Sequence, residues 1–271
     1  MQVSEPKMSN IGPPTSLPGL APRLGHTCDH VVQLYHGNQQ PVIESVAAFL
    51  RDGYAEGENL IIIADDELRR GITRQLGLRG VDTLQAIRDQ RLALFDSDDT
   101  LCWFMIDRQP DWGRFDSSVG AALRSMRKQS ETKKIRAFGN MVDRLWKSQQ
   151  FSAAIRLEQF WNRAMAQVPS KLFCAYEIDV FSHNFETAAD GILCTHSHLQ
   201  SAGLEDAIEQ ALREVLTKDV QQVREAAGRD SNPAWAMMPA GEKMVLWIRK
   251  NLADSAESIL SRARQYYMLP V

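Results

Sequence analysis

The sequence predicts an α/β domain, a mainly parallel sheet flanked by helices, followed by a C-terminal helical segment. Three observations predict it. Short β-branched runs alternate with amphipathic stretches of helix length, the pattern of βαβ units. The run Leu60 to Ala64 (LIIIA) is apolar on both faces, as a central parallel strand is. After Leu199 the alternation stops and strongly helix-forming sequence takes over.

The elements follow in order. Residues 1–27 are rich in Pro, Gly and Ser and lack the apolar core of a signal peptide, so they read as a disordered leader. Asp29 to Tyr35 (DHVVQLY) is a first strand, broken by His36-Gly37-Asn38. A helix is expected over Pro41 to Glu56, with Pro at an early helical position and Val42, Val46, Phe49 and Leu50 on one face. Gly57 stops it and LIIIA follows. Asp65-Asp66 opens the next helix, through Leu68, Ile72 and Leu76, where carboxylates suit the helix dipole.

Arg91 to Phe95 is a third strand. A long connection carries Trp103, Phe104, Met105 and Trp112, and a helix covers Asp116 to Gln129. Lys134 to Phe138 is a fourth strand, Phe151 to Val168 an amphipathic helix, and Lys171 to Tyr176 a fifth strand. A short helix over Asn184 to Ala189 and a last strand over Gly191 to Thr195 complete a domain spanning 28–199. The segment 200–271 is a helical tail. Its residues 203–227 carry an apolar stripe of Leu204, Ile208, Leu212, Val215 and Val223, which suits either packing on the main domain or a coiled coil in a homodimer. A breaker-rich stretch from Gly228 to Pro239 and two helices, Gly241 to Leu252 and Asp254 to Tyr267, follow.

Composition bounds the function. A 271-residue chain with 44% hydrophobic residues can bury a substantial core. A net charge of −3 gives no global attraction to nucleic acid or anionic membrane. No stretch reaches the roughly 18 unbroken apolar residues of a membrane span. The four cysteines, Cys28, Cys102, Cys174 and Cys194, form no CxxC pair and read as reduced thiols of a cytoplasmic protein.

In a parallel sheet the ligand crevice lies beyond the C-terminal strand ends. Tyr35, His36, Asp65, Asp66, Asp96, Asn140, Met141, Asp143, Tyr176 and Glu177 fall there, although polar residues after strands also serve as helix caps. Glu158 lies on a helix beside Phe160, Trp161 and Met165, in sequence suited to an apolar pocket. The candidate ligand-binding residues are therefore Tyr35, His36, Asp65, Asp96, Asn140, Met141, Glu158 and Tyr176. No catalytic residue and no cofactor is assigned. Cys194, His196 and His198 could offer a thiolate and two imidazoles, but a metal needs three or four convergent ligands that this spacing alone does not supply, so no metal is assigned.

Where a nucleotide-binding α/β fold would carry G-x-x-x-x-G-K-[ST], this chain reads YHGNQQPVIES. It has one Gly, no Lys, and a Pro that removes an amide donor. No GxGxxG follows any strand.

The ordered set of HVVQLYHGNQQPVIESVAAFLRDGYAEGENLIIIAD, RLALFDSDDT, GRFD, IRAFGNMVDRLW, IRLEQFWNRAMAQVPSKLFCAY and GILCTHSH resembles the MEDS domain, the methanogen/methylotroph DcmR-type sensory domain. The resemblance covers about residues 29–199. It implies a RecA/KaiC-like fold that has lost the phosphate loop, and a role in sensing small molecules, hydrocarbon derivatives among them. It also implies a histidine kinase or a transcriptional regulator as the output. Neither a helix-turn-helix ahead of the domain nor a kinase domain behind it is read, so the helical tail is the expected output element. The expectation is a non-catalytic sensor with a small-molecule ligand, without direct contact to nucleic acid or membrane. The alternatives are a ligand-independent interaction module and, further off, a divergent NTPase or a hydrolase using Asp65, Asp96 or Glu158.

Overall fold

The computed structural model describes residues 30–186, 191, 195–196, 198–200, 204–232, 235 and 238–267. The expected leader, Cys28 and Cys194 lie outside the described residues, as do the side chains of His198 and Leu204.

Six strands form one parallel sheet: β1 (His30–Tyr35), β2 (Asn59–Ala64), β3 (Leu92–Asp96), β6 (Ile135–Gly139), β7 (Ser170–Glu177) and β8 (His198–Gln200). Their spatial order is β3-β2-β6-β7-β1-β8. Every residue of β2 is buried, as its unbroken apolar run requires of a strand covered on both faces. A small antiparallel hairpin, β4 (Met105–Ile106) and β5 (Gln109–Pro110), lies outside the sheet.

Two apolar layers cover the sheet. On one face α1 (Gln40–Ala55) and α2 (Asp66–Leu78) pack Val42, Val46, Leu50, Leu68 and Ile72 against Leu60, Ile62, Phe138 and Phe173. Gly57, with φ of 77°, takes the left-handed conformation that turns the chain out of α1. The short helix α3 (Thr83–Arg88) leads into β3. On the other face lie α4 (Ser97–Phe104), the single turn α5 (Trp112–Phe115), a π-helical turn Asp116–Gly120, α6 (Ala121–Gln129), α7 (Met141–Lys147) and α8 (Phe151–Gln167). Their core contains Phe104, Phe115, Leu157 and Trp161.

The tail comprises α9 (Leu204–Leu216), α10 (Val220–Gly228), α11 (Ala240–Asn251) and α12 (Ala253–Tyr267). Ile208, Leu212 and Val223 of the stripe are buried together with Met244, Leu246, Leu260 and Ala263 of the later tail helices. The tail also docks on the residues that follow β7. Arg249 donates to the Phe181 carbonyl at 2.7 Å, Arg264 pairs with Asp179 at 2.8 Å, and Tyr267 meets Phe181 edge-on.

Five elements differ from the sequence expectation. The last strand is His198–Gln200 instead of 191–195; Gly191 is helical and Thr195 lies in a 3-10 turn. An apolar run as short as GILCT suits a helix turn as well as a strand, and periodicity alone does not separate them. The stretch 203–227 is two helices, broken by a 3-10 turn at Thr217–Asp219 where Thr217 has φ of 51°. The helices α3 and α7 were not expected, because six and seven residues carry too little periodicity to read. The connection after β3 is largely helical.

Candidate functional site

Strand alternation sets the site. His30, Val32 and Leu34 of β1 point to one face, and the register pairs them with Leu172, Cys174 and Tyr176 of β7. Above that face runs α8, on which Glu158 and Asn162 are one turn apart and so share a side. Residues 195–196 close the arrangement. His30, Glu158, Cys174 and His196 are all buried, and their ligand atoms lie within 4.8 Å of one another.

Glu158 is the hub. His30 Nε2 is 3.2 Å from Glu158 Oε2, and His196 Nε2 is 3.3 Å from Oε1. The Tyr176 hydroxyl donates to Oε1 at 2.5 Å, and Cys174 Sγ lies 3.7 Å from Oε2 and 3.4 Å from His30 Nε2. Outside this ring, His30 Nδ1 lies 2.9 Å from Asn162 Oδ1, and His196 Nδ1 lies 3.0 Å from Thr195 Oγ1. Asn162 Nδ2 donates to the Thr195 carbonyl at 2.8 Å.

Burial works to raise the Glu158 carboxyl, but the charge and hydrogen bonds of His196 and then His30 together outweigh it and hold the group well below the usual carboxylate range. Burial, reinforced by His196, lowers His30. Burial first and the Glu158 charge second push the Cys174 thiol and the Tyr176 phenol well above their usual values. The centre is thus a carboxylate ringed by an imidazole held toward its neutral form, a thiol and a phenol. Among the described residues no Lys or Arg pairs with Glu158.

The other expected residues fall into three places. Tyr35 joins a second polar cluster at the ends of β1 and β7: its hydroxyl donates to Asp143 Oδ2 at 3.2 Å, Lys147 pairs with Asp143 at 3.0 Å and with Glu177 at 2.5 Å, and the Glu177 amide donates to Asp143 Oδ1. Asp65 and Asp96 cap helices. Asp65 accepts from the Leu68 amide, and Asp96 from the Asp98 and Asp99 amides. The amide of Asp99, and after it the other donors around Asp96, hold that carboxyl low despite burial. Asn140 donates to Asp65 Oδ2 at 2.8 Å, while its own Oδ1 is buried without a hydrogen-bond partner among the described residues. Met141 is a fully buried core residue, and His36 is half-buried on the turn after β1. The structure therefore brings Glu158, Tyr176 and His196 together and leaves Tyr35, His36, Asp65, Asp96, Asn140 and Met141 outside that cluster.

A separate pocket lies on the same face, over β2 and β3. It is narrow, with a free volume of about 10 Å³, and is lined by Ile61, Ile63, Phe95, Val119, Leu123 and Trp161, with Trp103 at 45% exposure also in its wall. Thr100 also lines it, but its hydroxyl is engaged by the Asp96 carbonyl at 2.5 Å, so the lining presents no free polar group there. Val119 comes from the π-helical turn, a distortion frequent at functional sites.

His30, Cys174 and Asn162 were not among the expected site residues. The signal that finds them is the parallel register of β1 with β7, which sequence spacing does not contain.

Among comparisons with known proteins, the family model described as MEDS, the methanogen/methylotroph, DcmR sensory domain, matches residues 29–197. Neither the curated proteins nor the solved structures contain a significant match to the chain.

Proposed function

Because the chain belongs to the MEDS family of sensory domains and so has a sensory role, we propose that it is a non-catalytic sensor in which a small apolar organic molecule occupies the pocket over β2 and β3. The helical tail then passes the change to a histidine kinase or a transcriptional regulator. The observation that carries this reading is the pocket itself: a narrow recess walled by apolar and aromatic side chains, Trp103 and Trp161 among them. Recesses with apolar and aromatic walls are where small organic ligands bind.

Two further features support it. Trp161 stands on α8 three residues after Glu158, so one helix borders both the pocket and the buried polar centre. The tail contacts residues 179–181, directly after β7, which carries Cys174 and Tyr176. A ligand signals through that route only by binding two arrangements of the tail with different affinity. The turn after β1 lacks the lysine and the amide cradle of a phosphate loop, which supports a lost phosphate site and a non-catalytic role.

The test is a thermal-shift series on the full chain with small apolar compounds and with ATP·Mg, repeated on Ala122→Phe, which fills the pocket from α6. A binding compound at a hundred times its Kd stabilises the wild type by about 2.7 kcal/mol. That gain is expected to vanish in Ala122→Phe, with ATP·Mg inert in both. Absence of any stabilising compound would move the chain to a ligand-independent interaction module, and stabilisation by ATP·Mg alone would restore a nucleotide switch.

A further inference from the structure

We propose that His30, Glu158, Cys174 and His196 form a binding site for a divalent transition-metal ion of the zinc class, held by two imidazoles, one carboxylate and one thiolate. The site is separate from the apolar pocket, and the inference does not depend on which molecule that pocket takes.

The donor geometry is the first argument. Zinc bonds of about 2.0–2.2 Å to nitrogen and oxygen and about 2.3 Å to sulfur give a tetrahedron with edges of about 3.3–3.6 Å. The separations around Glu158 are 3.2 Å to His30, 3.3 Å to His196 and 3.7 Å to Cys174, and His30 lies 3.4 Å from Cys174. His30 Nε2, Cys174 Sγ and Glu158 Oε2 thus stand at tetrahedral spacing, and His196, which faces Glu158 Oε1, completes a set of four zinc-type donors within 4.8 Å of one another.

The outer hydrogen bonds are the second argument. Asn162 Nδ2 donates to the Thr195 carbonyl, so Oδ1 is the atom that faces His30, and His30 Nδ1 must be the donor to it. That tautomer leaves the lone pair of neutral His30 on Nε2, aimed at a carboxylate oxygen 3.2 Å away. A metal ion between that nitrogen and the carboxylate would accept a lone pair from each. A hydrogen-bonded second nitrogen is also how metal-bound histidines are held in orientation. Thr195 Oγ1 is placed to do the same for His196.

Charge is the third argument. Glu158 is fully buried, and a buried carboxylate needs a compensating positive charge. Only the imidazoles of His196 and His30 stand beside the carboxylate, and no Lys or Arg among the described residues supplies that charge. A metal ion does so while binding the thiolate of Cys174, whose proton leaves to solvent as the metal enters. His196 belongs to the stretch that leads into β8 and α9, so the ion would tie the approach to the tail onto β1, β7 and α8.

The experiment uses the full chain, stripped with a chelator and titrated with Co²⁺ and then Zn²⁺. One Co²⁺ per chain is expected, with the intense visible absorption of a tetrahedral ion and a sulfur-to-cobalt charge-transfer band, both lost on adding Zn²⁺. Cys174→Ser is expected to remove the charge-transfer band, and His30→Gln to weaken binding at least tenfold, an effect of the size found when ligand shells are disturbed. Cys102→Ser, at an exposed thiol outside the cluster, leaves the four ligands in place and is expected to bind one ion with the charge-transfer band intact. X-ray absorption on the zinc-loaded wild type covers the case in which a variant does not fold: one sulfur and three lighter ligands are expected. No stoichiometric binding, a spectrum without sulfur, or binding indifferent to both Cys174→Ser and His30→Gln would overturn the proposal and leave a proton as the cation between His30 and Glu158. None of these readouts bears on the apolar pocket, whose own test is the compound series with Ala122→Phe.

Discussion

Each face of the sheet buries a glutamate, and the two are treated in opposite ways. Under α1, Glu58 accepts from Arg136 Nε at 2.5 Å, and the same guanidinium reaches Glu56 at 3.0 Å and the Phe49 carbonyl at 2.8 Å. It lies flat against Gly53, where an added Cβ would collide with it. All three guanidinium nitrogens have acceptors, and the buried Glu58 charge is matched by a permanent cation. Under α8, Glu158 has equal burial but faces two imidazoles, a thiol and a phenol, groups that change protonation or bind metal. A fixed cation makes a site structural. A carboxylate ringed by titratable, ligating groups is poised to take up a partner, which is why the Glu158 side is the functional candidate.

The largest effect that tests this contrast is on the Arg136 side. Glu58→Ala leaves a buried guanidinium without its main counter-charge, and breaking such a pair costs about 3–5 kcal/mol. Denaturant unfolding of the metal-free chain is the measurement. Glu158→Gln in the same chain should cost less, about 1–3 kcal/mol, since it replaces one of the two contacted carboxylate oxygens by an amide nitrogen that cannot accept, without stranding a permanent charge. Equal losses would erase the distinction between a structural and a poised carboxylate. With Zn²⁺ present the order should narrow or invert, because ligand binding adds stability to the wild type that Glu158→Gln forgoes.

How far the sequence reached follows the same division. The parallel sheet was legible because β2 and its neighbours are apolar runs between helix-length stretches, and a buried parallel strand has no other composition available. Asp65 and Asp96 were legible as strand-end residues, and they proved to be caps, a role the same position equally permits. Glu158, Tyr176 and His196 were singled out for three unrelated reasons, and nothing in their spacing says that they meet. His30 and Cys174 are 144 positions apart and touch only because β1 lies beside β7. Non-local register is carried by packing, and no local pattern encodes it. The break at Thr217 was silent for a different reason: neither Gly nor Pro marks it, and a Thr at φ of 51° pays a conformational cost that only the surrounding tail helices offset.

A third buried carboxylate, Asp143, gives the comparison an intermediate case and its smallest test. Burial raises Asp143, against the opposing pull of its partner Lys147, which is exposed. Burial also acts to lower Lys147, but the charges of Asp143 and Glu177 prevail and raise it above the ordinary lysine value of 10.5. A cation whose folded-state value is raised contributes stability that is complete below 10.5 and is lost as pH climbs through the higher folded-state value. The wild type should therefore exceed Lys147→Met by no more than about 1 kcal/mol at pH 7, the pair being screened by solvent. That margin should shrink toward zero above pH 10.5, where the lysine of the unfolded and then the folded chain loses its proton. Tyr35 also titrates upward through burial and Asp143, but it is present in both chains, so it drops out of the difference to first order. A margin that stays constant to alkaline pH would mean that the methylene stem of Lys147, and not its charge, holds the strand ends together. Asp143 would then stand with Glu158, as a buried carboxylate without an effective fixed cation.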